Sequence, residues 1–241
     1  MSGLSKPLYC IAHRGGRQPD ASENTLAAIN AAIAQGADAI EIDLWQVDGQ
    51  LLVTHDRRLG KLLPGTGRLL DHSADYLRSL QLPCGNHIPT LDDVLQSIKQ
   101  QAALNIEIKG PDCAPAVVAA LQDYVYDCGG SFEQYIISSF DHPQLYQCQQ
   151  LLPEVRRGVL VDGIPLDYAR CCDALGAYSF HPGIDFISQP LIDDAKQRGL
   201  QVWVYTANDI EDMCQLADMG VDGVFTDYPA RLIELNKQLR G

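Results

Sequence analysis

The sequence predicts a single α/β domain, a (β/α)8 TIM barrel, and three observations carry that prediction. Short apolar runs rich in β-branched residues alternate with longer runs of helical periodicity, eight of each can be counted, and the 241 residues are close to the roughly 250 of one such barrel. Alternation of this kind makes the strands parallel, joined by right-handed crossovers, and eight repeats close a barrel better than they fill an open sheet.

The expected strands are, in order, "LYCIAH" (8–13), "AIEIDLW" (39–45), "LNIEIK" (104–109), "YIISSF" (135–140), "RGVLV" (157–161), "AYSFH" (177–181), "QVWVYT" (201–206) and "DGVFTD" (222–227). Helices are expected near 24–35, 90–100, 114–127, 143–151, 166–174, 188–198, 209–218 and 229–239. Thr90 with Asp93 forms a capping pattern, Asn208 or Asp209 can cap the next-to-last helix, and Gly199 and Gly220 stand where helices need a left-handed end. Residues 56–89 break the rhythm. They are rich in Gly and Pro with one short helical patch, and are expected to form a rim insertion within a single domain spanning 1–241.

Composition narrows the partners. A net charge of −13 argues against nucleic acid and anionic membranes, which select clustered Lys and Arg. No apolar run approaches the roughly 18 residues of a membrane span, and "MSGLSKP" leads too soon into a strand to be a secretory leader, so a cytoplasmic location is expected. The eight cysteines include no Cys-x-x-Cys pair, and a domain of this size needs no staples; buried, reduced thiols are expected.

The strand ends carry the chemistry. In "AIEIDLW" the side chains of Glu41 and Asp43 project together while Ile40, Ile42 and Leu44 project the other way. Two adjacent carboxylates in a buried strand demand a positive partner. Glu107 and Lys109 repeat the pattern on the third strand, His13 and Arg14 close the first, and His55 follows a short extra strand. Three carboxylates converging at a barrel mouth describe an all-oxygen site for a hard cation, Mg2+ or Ca2+. The plainer alternatives are that each acid is a salt-bridge partner or a polar barrel-layer residue, Lys109 serving Glu107, and that any one histidine is structural; His72, His87, His142 and His181 are read as structural or surface residues.

These residues, with "HRGG" (13–16), "SENTLAA" (22–28), "EIDL" (41–44), "THD" (54–56), "IPTLDDVL" (88–95), "NIEIK" (105–109), "SSF" (138–140), "VYTAND" (204–209) and "DGVFTDYP" (222–229), give the chain a resemblance to the small, single-domain, cytosolic glycerophosphodiester phosphodiesterases. The resemblance implies that Glu41, Asp43 and Glu107 hold one divalent cation and that His13 and His55 are the acid and base. It further implies that Arg14 and Lys109 grip phosphate, that Glu23 orients Arg14, and that Phe140, Trp203 and Tyr205 line the substrate pocket. Two departures stand out: Tyr205 replaces the family's usual Trp, adding a hydroxyl able to hydrogen-bond at the alcohol end, and Ser22 replaces a proline.

The implied reaction is hydrolysis of diesters such as glycerophosphocholine, glycerophosphoethanolamine or glycerophosphoglycerol to glycerol 3-phosphate and an alcohol. The nucleophile is either water or the neighbouring glycerol hydroxyl, which would form a cyclic phosphate. The competing readings are a phosphodiesterase acting on a lipid or cyclic diester, for which the sequence shows no apolar rim, and a catalytically silent binder of glycerol phosphate or metal. A homodimer is left open.

Overall fold

The computed structural model describes residues 5–238, so the domain bounds 1–241 and the last residue of the helix expected at 229–239 run past it. Nine strands form one sheet: β1 (Tyr9–Ala12), β2 (Ala39–Val47), β3 (Gln50–Val53), β4 (Ala103–Ile108), β5 (Tyr135–Ser139), β6 (Arg156–Val161), β7 (Ser179–Pro182), β8 (Gln201–Val204) and β9 (Gly223–Thr226). β1 pairs in parallel with both β9 and β2, which closes an eight-stranded parallel barrel; β3 is an antiparallel hairpin partner of β2 outside it. Around the barrel lie α1 (Leu26–Gln35), α3 (Leu91–Ile98), α4 (Ala114–Cys128), α5 (His142–Leu151), α6 (Cys171–Leu175), α7 (Gln189–Gln197), α8 (Ile210–Asp218) and α9 (Pro229–Gln238), with α2 (Ala74–Ser79) inside the insertion.

Local chemistry sets the ends. Thr90 and Asp93 form the capping box of α3, each side chain bonding the other's backbone N–H. Asp209 is the N-cap residue of α8 without a side-chain capping bond, and Asn208 turns instead to Asp227 and Thr226. α6 is five residues long, shorter than the expected 166–174, because "DGIPLDY" keeps the chain in loop as far as Arg170.

Alternation along β2 sorts its side chains. Ile40, Ile42 and Leu44 join the main core beneath the helices, whereas Ala39 packs inside the barrel with Ile11, Ile136, Trp203 and Phe225. Glu41 and Asp43 share Ala39's face one and two steps nearer the mouth. Beyond the barrel the same face continues as Trp45 and Val47, and there residues 56–89 build a small core of their own from Leu59, Leu63, Leu69, Leu77 and Ile88.

None of the eight cysteines is disulfide-bonded; Cys10, Cys113, Cys148, Cys172 and Cys214 are buried. Cys84, in the insertion, and Cys128, the last residue of α4, are exposed, contrary to the expectation of burial. Among the described residues no helix is long and apolar enough to cross a membrane.

Candidate active site

The C-terminal ends of the barrel strands surround a cavity of about 200 Å3 lined by His13, Arg14, Glu41, His55, Glu107, Lys109, Phe140 and Tyr205, together with Asn105 and Ser138. This is the face on which βα-loops of such barrels build sites. Arg14 has φ of 55°, and this left-handed turn directly after β1 aims its N–H at Glu41 Oε2, 2.8 Å away. Gly15 follows at φ of 82° so tightly against α1 that a Cβ there would sit 2.9 Å from Ile29 N.

Glu41, Asp43 and Glu107 each offer a carboxylate oxygen, and the three atoms lie within 4.8 Å of one another. Opposite ligands of a cation bound at about 2.0–2.6 Å are separated by such a distance. Glu41 Oε1 and Asp43 Oδ1 are buried without a hydrogen-bond partner, a costly condition that a cation would relieve. The donor set is all oxygen and carries three potential charges, so the residues fit a hard divalent ion. Burial, and next the charges of Asp43 and Glu107, push the Glu41 carboxyl well above the usual range, with Arg14 pulling it back; burial and Asp43 likewise raise Glu107 against the pull of Lys109.

Two cations attend the cluster. Lys109 Nζ is 2.8 Å from Glu107 Oε1 and 3.6 Å from Asp43 Oδ1. Arg14 Nη1 donates to Glu23 Oε1 at 2.8 Å, while its Nε lies 3.2 Å from Asp43 Oδ2 as an ion-pair contact not aligned as a hydrogen bond. Lys109 thus makes the ion pair with Glu107 that the plainer reading expects, and does so beside the cluster of three acids.

Both strand-end histidines reach the cavity, each with a carboxylate at its Nδ1. His13 Nδ1 is 2.7 Å from Asp227 Oδ1, and His55 Nδ1 is 3.0 Å from Asp56 Oδ1. Burial raises the Asp227 carboxyl, but the hydrogen bond and charge of His13, Asn208 and Arg17 hold it below its ordinary value. Burial pulls His55 down, with Arg14 and Lys109 adding to it against the opposing Asp43. Trp45 Nε1 donates to the carbonyl of His55 at 3.3 Å, tying this loop to the insertion's core.

Trp203 does not share this pocket. It is 3% exposed in the barrel interior, stacked between Tyr9 and His181 at 5.4 and 5.3 Å. The two-residue spacing to Tyr205 puts both on one strand face but one barrel layer apart, so Trp203 fills a packing layer below the mouth. Nor is the Tyr205 hydroxyl spare: it donates to the carbonyl of Val161 at 2.9 Å, leaving the ring, edge-on to Phe140 at 5.9 Å, as the surface offered to the cavity. His181 is wholly buried, its Nε2 2.7 Å from Ser179 Oγ, and His142 Nε2 is 3.0 Å from the carbonyl of Leu160.

Several supporting residues escaped sequence reasoning. Asn24, left-handed at φ of 57°, donates to Asp43 Oδ2 at 2.8 Å and accepts from the Asp43 N–H at 3.2 Å. Asn208 holds Asp227, and Asn105, whose Nδ2 donates to Ser138 Oγ, leaves a buried Oδ1 unpaired beside the cavity. Their signal was position alone, beside Glu23 in "SENT", in "AND" and two residues before Glu107 in "NIEIK".

The chain's relatives share this layout of length and fold. A curated glycerophosphodiester phosphodiesterase from Caldanaerobacter subterraneus subsp. tengcongensis is 32% identical over 239 residues, covering 93% of this chain and 96% of its own. The solved structure of an Oleispira antarctica phosphodiesterase in complex with the product sn-glycerol-3-phosphate superposes with a TM-score of 0.85 at 28% identity over 97% of each chain. A glycerophosphodiester phosphodiesterase structure from Thermotoga maritima gives a TM-score of 0.74 at 25% identity over 95% of this chain and 98% of that one. With the profile of the glycerophosphoryl diester phosphodiesterase family matching residues 13–231, from the first cavity histidine into α9, the chain belongs to that family of enzymes.

Proposed function

We propose that the protein hydrolyses glycerophosphodiesters to glycerol 3-phosphate and an alcohol, with a divalent cation held by Glu41, Asp43 and Glu107. One observation carries the reading: Glu41 and Glu107, clustered with Asp43, line the same cavity as two histidines and two fixed cations, and Glu41 Oε1 and Asp43 Oδ1 are buried without a hydrogen bond. The product named in the Oleispira structure supports the glycerol phosphate half of the substrate.

A phosphodiester anion repels nucleophiles, and its alkoxide leaves poorly, so the site must neutralise charge and move a proton. The cation would supply Lewis-acid stabilisation of the phosphoryl oxygens. Arg14 and Lys109, fixed by Glu23, Asp43 and Glu107, present donors to the phosphoryl group's non-bridging oxygens, and these contacts strengthen as charge develops. His55, drawn toward its neutral form by burial, takes the proton of the attacking hydroxyl. His13, oriented through Nδ1 by the Asp227 carboxylate 2.7 Å away, gives a proton to the departing alcohol oxygen. The attacking hydroxyl belongs to water or to the substrate's own glycerol.

The test is turnover of glycerophosphocholine, read as glycerol 3-phosphate release, with Mg2+, with Ca2+ and with EDTA. Activity lost to EDTA and restored by one of the ions is expected, as is loss in His13→Ala and His55→Ala; an undiminished rate in EDTA rejects the cation's part, and no turnover under any condition rejects the reaction.

A further inference from the structure

Each cavity histidine is held by a carboxylate, and each carboxylate also meets an exposed cation, but the two arrangements differ at one atom. Asp227 divides its oxygens: Oδ1 takes His13 Nδ1 at 2.7 Å, while Oδ2 takes Asn208 Nδ2 at 3.1 Å and faces Arg17 Nε at 3.3 Å. Asp56 does not divide them. Its Oδ1 meets both His55 Nδ1, at 3.0 Å, and Lys61 Nζ, at 3.3 Å.

The insertion puts Lys61 there. Leu59 and Leu63 are buried in the core of the 56–89 lobe, and between them the N–H of Gly60, at φ of 100°, closes a tight turn on the Leu63 carbonyl at 2.8 Å. The turn leaves the Lys61 side chain 77% exposed while its ammonium reaches back to Asp56, itself 18% exposed. A carboxylate oxygen shared with an ammonium is a weaker partner for an imidazole, because the ammonium takes part of its charge and repels the protonated ring. Burial raises the Asp56 carboxyl, but its bonds to His55 and Lys61 hold it below the ordinary value, so one anion serves both. The forces on His55 are otherwise opposed. Burial disfavours its charged form, Asp43 of β2 favours it, Arg14 beyond β1 opposes, Asp56 favours and Lys109 beyond β4 opposes, with Glu41, Glu107 and His13 lining the same cavity. In that balance a cation on the shared oxygen tips the ring.

We propose that Lys61 is a positioning residue for the reaction: by holding the same Asp56 oxygen as His55, it slackens that carboxylate's grip on the ring and leaves His55 free to take the proton of the attacking hydroxyl. This rests on the phosphodiesterase reading and on the part given there to His55. An ion pair this exposed is weak and is screened by salt, which limits the effect and supplies a control. The experiment measures kcat/KM for glycerophosphocholine against pH in Mg2+, at about 50 and about 500 mM NaCl. The wild type, Lys61→Met and Lys61→Arg are compared, with circular dichroism as the check on folding.

At low salt the acid limb of the Lys61→Met profile is expected to lie about half a pH unit above that of the wild type, which is about a threefold loss on the acid side relative to the plateau, whatever the plateau's height. Lys61→Arg keeps the wild-type limb. High salt carries the wild type toward Lys61→Met and leaves that variant in place. The ring resonance of His55 in the Mg2+-loaded protein, identified as the signal missing from His55→Ala, titrates with the same displacement. A limb that stays in place in Lys61→Met, even with a lowered plateau, overturns the inference and leaves the hydrolysis standing, for Lys61 then only secures the loop. No turnover by the wild type overturns both. Should Lys61→Met fail to fold, Lys61→Gln gives the same comparison.

Discussion

Asp227 Oδ1 lies 2.7 Å from His13 Nδ1, and Asp227 is itself held by Asn208 Nδ2 at 3.1 Å and by Asn208 Oδ1 accepting from its N–H at 2.8 Å. The imidazole is thereby oriented from the neighbouring strand end, through Nδ1, by a carboxylate held below its ordinary pKa. Asp227→Asn keeps the shape and removes the charge. A fall in kcat of about 10²–10⁴ with unchanged folding is expected. A KM change alone, with kcat intact, would show that Asp227 serves binding rather than proton delivery.

Glu41 is buried beside two like charges, so its folded pKa is raised well above the unfolded one. The sign follows from linkage: the folded state holds the extra proton, so this site favours folding at low pH and loses that contribution as pH rises through the raised pKa. Glu41→Gln is therefore expected to raise the melting temperature of the protein in EDTA at pH 8 and to abolish the further rise that Mg2+ or Ca2+ gives the wild type. Thermal melts with and without each ion check both halves.

His181 moves stability in the opposite sense. Burial holds its folded pKa down to about 3, so below the unfolded value near 6.5 the unfolded state binds the proton and folding weakens as pH falls toward 3. The slope reaches about 1.4 kcal/mol per pH unit for this one group. In His181→Gln, which keeps a polar partner for Ser179, urea midpoints between pH 7 and 4 should fall less steeply than in the wild type. Equal slopes would show that His181 does not titrate on unfolding.

Gly158 exists for His181. A Cβ at Gly158 would lie 2.3 Å from His181 Cε1, inside any tolerable contact. Gly158→Ala alone should cost about 1–3 kcal/mol, the usual penalty of overpacking a core. Combined with His181→Ala the cost should largely vanish, and a denaturant-unfolding double-mutant cycle measures that coupling.

Much of the fold was legible because local and global signals agree. The period-2 acids of β2 and β4, the capping box at Thr90 and the glycines after α7 and α8 each act over a few residues, which is the range a sequence displays. The two acid-bearing strands and the two strand-end histidines are read in the same way. What was illegible depends on three dimensions. Trp203 and Tyr205 share a strand face, yet barrel layers separate them, and no spacing along one strand reports which layer meets the mouth. The hydroxyl of Tyr205 finds its acceptor 44 positions away at Val161. The pairing of Asp227 with His13 spans 214 positions.

β2 works as a ruler with three marks. Ala39 sits in the barrel's packing layer, Glu41 and Asp43 in the acid cluster, and Trp45 and Val47 in the core of the 56–89 lobe, all on one edge of a single nine-residue strand. A slip of one residue would turn every mark to the wrong side at once. Swapping the lobe for another of different length is thus tolerable only while Trp45 keeps its hold, since the same indole that seats the lobe also anchors the backbone of His55.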